Sequence, residues 1–146
     1  MKLSEHFSLE EMSRSDYAVR NGINNEPSEA VIENMRQLCV NVLEPLREIV
    51  KKPIHINSGY RSPEVNTGIG GSKTSQHCEG KAADITVHGM TIDELFDIAS
   101  KSMQYDQVIH EFGRWVHISF NGSTNRKQML WAVKQDGVTK YLHQKP

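Results

Sequence analysis

No stretch of the 146-residue chain is apolar for long enough to cross a bilayer, and its opening segment, MKLSEHFSLEEM, lacks the apolar core of a signal peptide. The expectation is a soluble protein made in the cytoplasm without an export leader. An excess of charge is missing too, since 17 Lys+Arg face 18 Asp+Glu for a net charge of −1. So balanced a chain has no broad field to gather nucleic acid or insert into an anionic membrane, and neither is expected as a partner. Cysteine is scarce. Cys39 and Cys78 stand in unlike contexts with no CxxC spacing, which argues against a disulfide framework or a structural zinc cluster and fits a reducing compartment of synthesis. Repeats, low-complexity tracts and domain linkers are absent as well. What is present is 37% hydrophobic residues, enough for one core in a chain of this size. Residues 1–146 are therefore read as one domain, expected to be monomeric.

The apolar pattern divides the chain into helices followed mainly by strands. Ser8 and Glu11 have capping-box spacing for a short helix, and Asn21-Gly22 is the next turn signal. From Pro27 to about Lys51, apolar residues at Val31, Met35, Leu38, Val42, Leu46 and Ile49 trace one buried helical face, which Pro45 should bend. Ile54 and Ile56, alternating with His55 and Asn57, predict a strand that ends in the loop Ser58-Gly59-Tyr60-Arg61-Ser62-Pro63. Residues 66–75, with Gly68, Gly70 and Gly71, read as a flexible loop walling a cleft. A second strand is expected over 82–87, and the Thr91/Glu94 capping box predicts a helix to about Met103. Two hairpins complete the chain, 108–112 with 115–120 around Gly113, and 129–133 with 138–142 around Asp136-Gly137. In the second, Trp131 and Tyr141 are expected to form a cross-strand aromatic pair. The class is α+β, helices packed on a mainly antiparallel sheet.

Two segments concentrate the chemistry. In Ser75-Gln76-His77-Cys78-Glu79-Gly80-Lys81-Ala82-Ala83-Asp84, a histidine lies in a Gly-bearing loop and an aspartate at the start of a strand. A strand carboxylate among apolar neighbours is costly to bury unless a cation pairs with it, and a divalent metal would do so. In Glu111-Phe112-Gly113-Arg114-Trp115-Val116-His117, His117 shares a strand face with Trp115 and Ser119. Register then decides which group is available as a base beside it. A three-residue connection places Glu111 on the face of His117, whereas a two-residue connection substitutes His110. Taken singly, each histidine is more simply a strand or loop residue. Glu79 is read as an exposed loop residue, and His6, His55, His88 and His143, lacking partner spacing, as surface residues.

Together these segments resemble the zinc D-Ala-D-Ala carboxypeptidase family of peptidases, which includes the vancomycin-resistance dipeptidases and several phage endolysins. That family shares its core with lysostaphin-type peptidases and the hedgehog signalling domain. The likeness rests on S-x-H-x-x-G-x-A-x-D at Ser75, His77, Gly80, Ala82 and Asp84, and on His117 two residues after Trp115. Residues 58–63 also look like the family's arginine loop, so the likeness spans about 54–120. It implies a hedgehog/D-Ala-D-Ala-peptidase-like fold and one Zn²⁺ per chain held by His77, Asp84 and His117. Two imidazoles and a carboxylate, with a fourth position open, is also the composition of a catalytic rather than a structural zinc site. The dipeptidases carry their base three residues before the second histidine, but Arg114 occupies that position here and cannot serve. Glu111 takes the role only if the longer turn brings it back. The resemblance further implies that Arg61 binds or polarises the substrate and that Ser75 either hydrogen-bonds in the site or shapes its loop. The implied substrates are peptidoglycan stem peptides, cut near the D-Ala terminus or at another bond. The alternative is a non-catalytic zinc-containing binding module. By analogy with phage endolysins, action at the cell wall after holin-mediated release is expected.

Overall fold

The computed structural model describes residues 1–102 and 104–146. Three short helices open the chain: α1 (Leu9–Ser13), α2 (Asp16–Asn21) and α3 (Glu29–Leu38). The capping box at α1 forms in both directions, Glu11 N–H to Ser8 Oγ at 3.2 Å and Ser8 N–H to Glu11 Oε1 at 3.0 Å. Gly22, at φ 62°, closes α2 in the left-handed conformation.

The long apolar stripe from Pro27 onward runs through α3, a π turn at Cys39–Leu43, and α4 (Glu44–Val50). The run stays continuous past Pro45. In the wide turn the Glu44 N–H donates to the Cys39 carbonyl, five residues back, which relieves the clash between the proline ring and the preceding turn. That turn also shifts the phase of the stripe. Leu38, Val42 and Leu46 are buried, but Ile49 is exposed and Val50 packs on the core instead, correcting the expected face. Each fully buried leucine here stabilises the fold by roughly 2–3 kcal/mol relative to an exposed one.

Strand β1 (His55–Ser58) is followed by α5 (Pro63–Gly68), a 3₁₀ turn at Gln76–Glu79, β2 (Ala82–Thr86) and α6 (Ile92–Ser102). Helix α5 takes the first residues of the stretch expected to be loop. Ser62 caps it by accepting the Val65 N–H, and Pro63 occupies its first turn. The Thr91/Glu94 box opens α6, whose expected end at Met103 lies outside the described residues.

Strands β3 (Gln107–Glu111), β4 (Trp115–Ser119), β5 (Gln128–Gln135) and β6 (Val138–Leu142) complete a six-stranded sheet of order β1-β2-β4-β3-β5-β6. Every pairing is antiparallel except β3 with β5. The chain must cross β3 between β4 and β5 to give that parallel pair, an arrangement the separate hairpin signals do not specify. Alternation splits the sheet into two faces. Ile85, Val108, Val116 and Ile118 join the helices in the main core, while Asp84, Ile109, Glu111, Leu130 and His117 turn to the other face.

The last hairpin corrects an expectation. Asp136 (φ 52°) and Gly137 (φ 75°) make a two-residue turn that pairs Gln135 with Val138, so Trp131 opposes Leu142 and Tyr141 opposes Ala132. Trp131 and Tyr141 therefore lie on opposite faces and form no pair. Trp131 packs against Phe96 of α6 at 5.0 Å between ring centroids.

Candidate metal centre

The open face of the sheet carries a cleft of ≈ 990 Å³ lined at its centre by Arg61, His77, Asp84, Glu111, Trp115 and His117. Gly70, Gly71, Ser72 and Thr74 form one wall, as read from their composition. A smaller hollow of ≈ 620 Å³ between α1, α2 and Pro27 shares no residue with the cleft.

His77 sits on the 3₁₀ turn, whose start Ser75 caps by accepting the His77 N–H at 3.2 Å. Gly80 ends the turn at φ 74°. A Cβ there would lie 2.7 Å from the Val31 carbonyl oxygen, so only glycine lets the turn lie this close to α3. The His77 Nδ1–H donates to the Gly59 carbonyl at 2.7 Å, which leaves Nε2 as a bare acceptor. Gly59 is in turn pressed against α1, where its neighbour Tyr60 donates to the Met12 carbonyl at 2.7 Å. The first helix thus supports the histidine through backbone alone.

Asp84 and His117 pair across β2 and β4 in register. Asp84 Oδ1 lies 3.0 Å from His117 Nδ1 and 3.2 Å from His77 Nε2, and the two imidazoles meet edge to face at 5.0 Å. All three residues are buried, at 6%, 8% and 2% exposure for Asp84, His117 and His77. Their donor atoms fall within 4.8 Å of one another. The His77 Nε2 lone pair faces the carboxylate without a hydrogen bond, so two acceptors confront each other in a dry site. A cation between them resolves that conflict, and the site fits a metal ion.

Electrostatics favour the ligating form at His77 and Asp84 and a proton shared with Asp84 at His117. Burial holds the His77 imidazole below its usual range despite the Asp84 charge, which favours the neutral, ligating form. Burial opposes ionisation of Asp84, yet the imidazoles beside it outweigh that and hold its carboxyl well below the ordinary range. Burial likewise opposes charging His117, but its hydrogen bond to Asp84 raises it.

The connection between β3 and β4 is Phe112-Gly113-Arg114, with Phe112 and Gly113 both at positive φ and the Arg114 N–H donating to the Glu111 carbonyl at 2.9 Å. Glu111 therefore pairs with Trp115 and shares the face of His117, its Oε1 being 3.5 Å from His117 Nδ1. Burial raises the Glu111 carboxyl, and the Asp84 charge adds to that. His110 points to the helical face, where its Nε2 meets Asp93 Oδ1 at 2.7 Å and its ring stands edge-on to Phe96. Arg61 reaches in from the loop after β1, with Nη2 3.8 Å from Asp84 Oδ2 and Nη1 donating to Asn66 Oδ1 at 3.1 Å. Among the described residues its Nε is buried without a partner.

The remaining expected surface groups divide. Glu79 is exposed and pairs with Lys81, and His55, His88 and His143 are exposed. His6 does have a partner, Glu44, at 2.6 Å. Sequence reasoning missed Asn66, which holds Arg61, and a bracket in which buried Asp106 accepts from Gln76 and Arg126. The partners of Asp106 are 20 and 30 residues away, and the Arg61–Asn66 contact depends on how α5 folds back on the loop before it, so no local motif marks either.

A sheet with helices on one face, and a buried His-Asp-His group beside a carboxylate and an arginine on the other, has the donor set of a metallopeptidase. The Peptidase M15 family model matches residues 5–119, and the chain belongs to that family, the zinc D-Ala-D-Ala carboxypeptidase-like peptidases. No curated protein matches the chain.

Proposed function

We propose that the protein is a zinc peptidase that hydrolyses peptide bonds in peptidoglycan stem peptides. The observation that carries this reading is that His77 Nε2 and His117 Nδ1 lie 3.2 and 3.0 Å from the same Asp84 oxygen, with Glu111 on the same face. Zinc bound by the three would polarise the scissile carbonyl and make a neighbouring water a better nucleophile. Glu111 then has the work of a general base. It takes a proton as the water oxygen bonds to the carbonyl carbon, and delivers it to the amine nitrogen as the C–N bond breaks. Its raised carboxyl suits both steps. Arg61 directs guanidinium donors at the carbonyl oxygen, where negative charge develops, or at a substrate carboxylate. Asn66 fixes its fork. Ser75 lines the cleft, and while its oxygen caps the His77 turn its hydroxyl proton is available to a substrate carbonyl.

The proposed site of action is the cell wall, reached from the cytoplasm through a membrane pore. The test is metal analysis joined to digestion of purified stem peptides, with fragments read by mass. The expected result is about one zinc per chain, loss of that zinc in His77→Ala, and cleavage abolished by a chelator and restored by zinc. Zinc bound without cleavage would make the protein a binding module instead. Equal metal in parent and variant would sink the site assignment.

A further inference from the structure

The cleft does not end at the metal centre. Across the sheet from His117, in register, come Ile109 on β3 and Leu130 on β5, and Ala132, opposite Glu111, is paired with Tyr141 on β6. Lys134 and its partner Thr139 stand one pleat further on, on the same face. Ile109 and Leu130 form a small apolar cluster with Ala132 and Phe112, separate from the main core. Ile109, Phe112 and Leu130 of this floor line the same cleft as the metal centre, together with Lys134, Thr139 and Tyr141. All of it after Ile109 and Phe112 lies beyond residue 119, outside the stretch that the family match describes.

Charge distinguishes this end. Three Lys/Arg side chains line the cleft: Arg61, Arg126 and Lys134. Arg61 is held by Asn66 and faces Asp84, and Arg126 is locked to Asp106. Among the described residues, Lys134 is the cleft cation without a carboxylate partner; its ammonium lies 5.7 Å from the Phe112 ring centroid. A lysine over an aromatic ring, beside two hydroxyl-bearing residues and above an apolar floor, has the chemistry to receive an anion attached to an aliphatic group.

We propose that the β5–β6 hairpin forms a substrate subsite in which Lys134, Thr139 and Tyr141 receive a carboxylate of the peptide while Ile109, Leu130 and Phe112 accept the adjoining aliphatic chain. This rests on the peptidase reading above. Lys134 is two strands across from His117, about 10 Å, and four residues along β5, about 13 Å, or roughly 16 Å between Cα positions. At ~3.5 Å per residue of extended chain, the recognised carboxylate lies about three to five residues from the scissile bond. The subsite therefore selects acidic peptides by a residue distant from the reacting atoms.

The experiment uses the zinc-loaded protein and two synthetic stem-type peptides, identical except that one acidic group three to five residues from the cut is free in one and an amide in the other. The parent should prefer the free acid by roughly 10-fold in kcat/KM, the scale of one charge-assisted hydrogen bond. Lys134→Ala should bring that ratio close to one, and Lys134→Glu should invert it. Because Lys134 is exposed on its strand, both variants should melt with the parent. Cleavage with the same ratio in all three proteins would overturn the subsite and leave the peptidase reading standing. Failure of the parent to cut either peptide would overturn both.

Discussion

Two demands meet on Glu111: it must lie close enough to the metal site to take a proton, yet hold no metal itself. Its Oε1 is 3.5 Å from His117 Nδ1, outside the group whose donor atoms converge on Asp84. Glu111→Gln keeps the size of the side chain and removes its basicity. Zinc content and melting temperature should stay close to the parent while turnover falls by about 10²–10⁴-fold, the usual contribution of general acid–base catalysis. A nearly silent substitution would remove Glu111 from the mechanism. Arg61 makes a different test, because its donors act on charge rather than on the proton. Arg61→Ala should retain metal and fold but lose at least ~10²-fold in kcat/KM, as when one positioned oxyanion donor is removed. Unchanged kinetics would place the guanidinium outside the reaction.

Among the elements, α1 and the end of β1 act as one support for the metal turn. A Cβ on Gly59 would lie 2.1 Å from the Met12 carbonyl oxygen, and the Gly59 carbonyl itself accepts from His77 Nδ1. Gly59→Ala must therefore separate the helix from the strand and tilt the imidazole. The expected cost is about 1–3 kcal/mol of stability, together with roughly 10–100-fold weaker zinc binding; titration of the metal-free protein reads the second effect. Unaltered affinity would mean that Gly59 does not orient the histidine. Caps, turns and apolar alternation made α1, α6, the strands and both hairpins readable from sequence, since each depends on neighbours a few residues apart. The His-x-x-Gly-x-Ala-x-Asp spacing likewise pointed to His77 and Asp84. The three-residue turn after Glu111 was not readable, because both registers satisfy the alternation and the positive φ of Phe112 has no sequence signal. The π turn at Cys39–Leu43 has no sequence signal for a similar reason: Pro45 announces a disturbance but not how the chain absorbs it, and the absorbed turn carries Ile49 off the buried face. The expected Trp131–Tyr141 pair is incompatible with the turn that the sequence itself specifies. An Asp-Gly turn of two residues already puts position 141 opposite 132.

At the scale of the whole molecule, Asp106 ties the sheet to the metal loop. It precedes β3 and accepts from the Arg126 backbone N–H at 2.9 Å, from Arg126 Nε at 3.0 Å and Nη2 at 2.6 Å, and from Gln76 Nε2 at 3.0 Å. Gln76 is the residue next to His77, and Arg126 belongs to the connection that crosses from β4 to β5. One carboxylate thus ties the Gln76 turn, which no strand pairing reaches, to the paired starts of β3 and β5. Its side chain is only 2% exposed, and the Arg126 hydrogen bonds, outweighing the cost of burial, hold its pKa at about 2 against an ordinary 3.8. A pKa depressed in the folded state means stability that is fully present above pH ~4 and is lost as the pH falls through about 2. The difference of nearly two units corresponds to about 2 kcal/mol at neutral pH. Denaturant unfolding of the parent and of Asp106→Asn should therefore differ by about that amount at pH 7. The gap should narrow between pH 4 and 2 as the parent's carboxylate takes up its proton and comes to resemble the amide. A gap of the same size at both ends of that range would show that the bracket stabilises through packing and not through its charge.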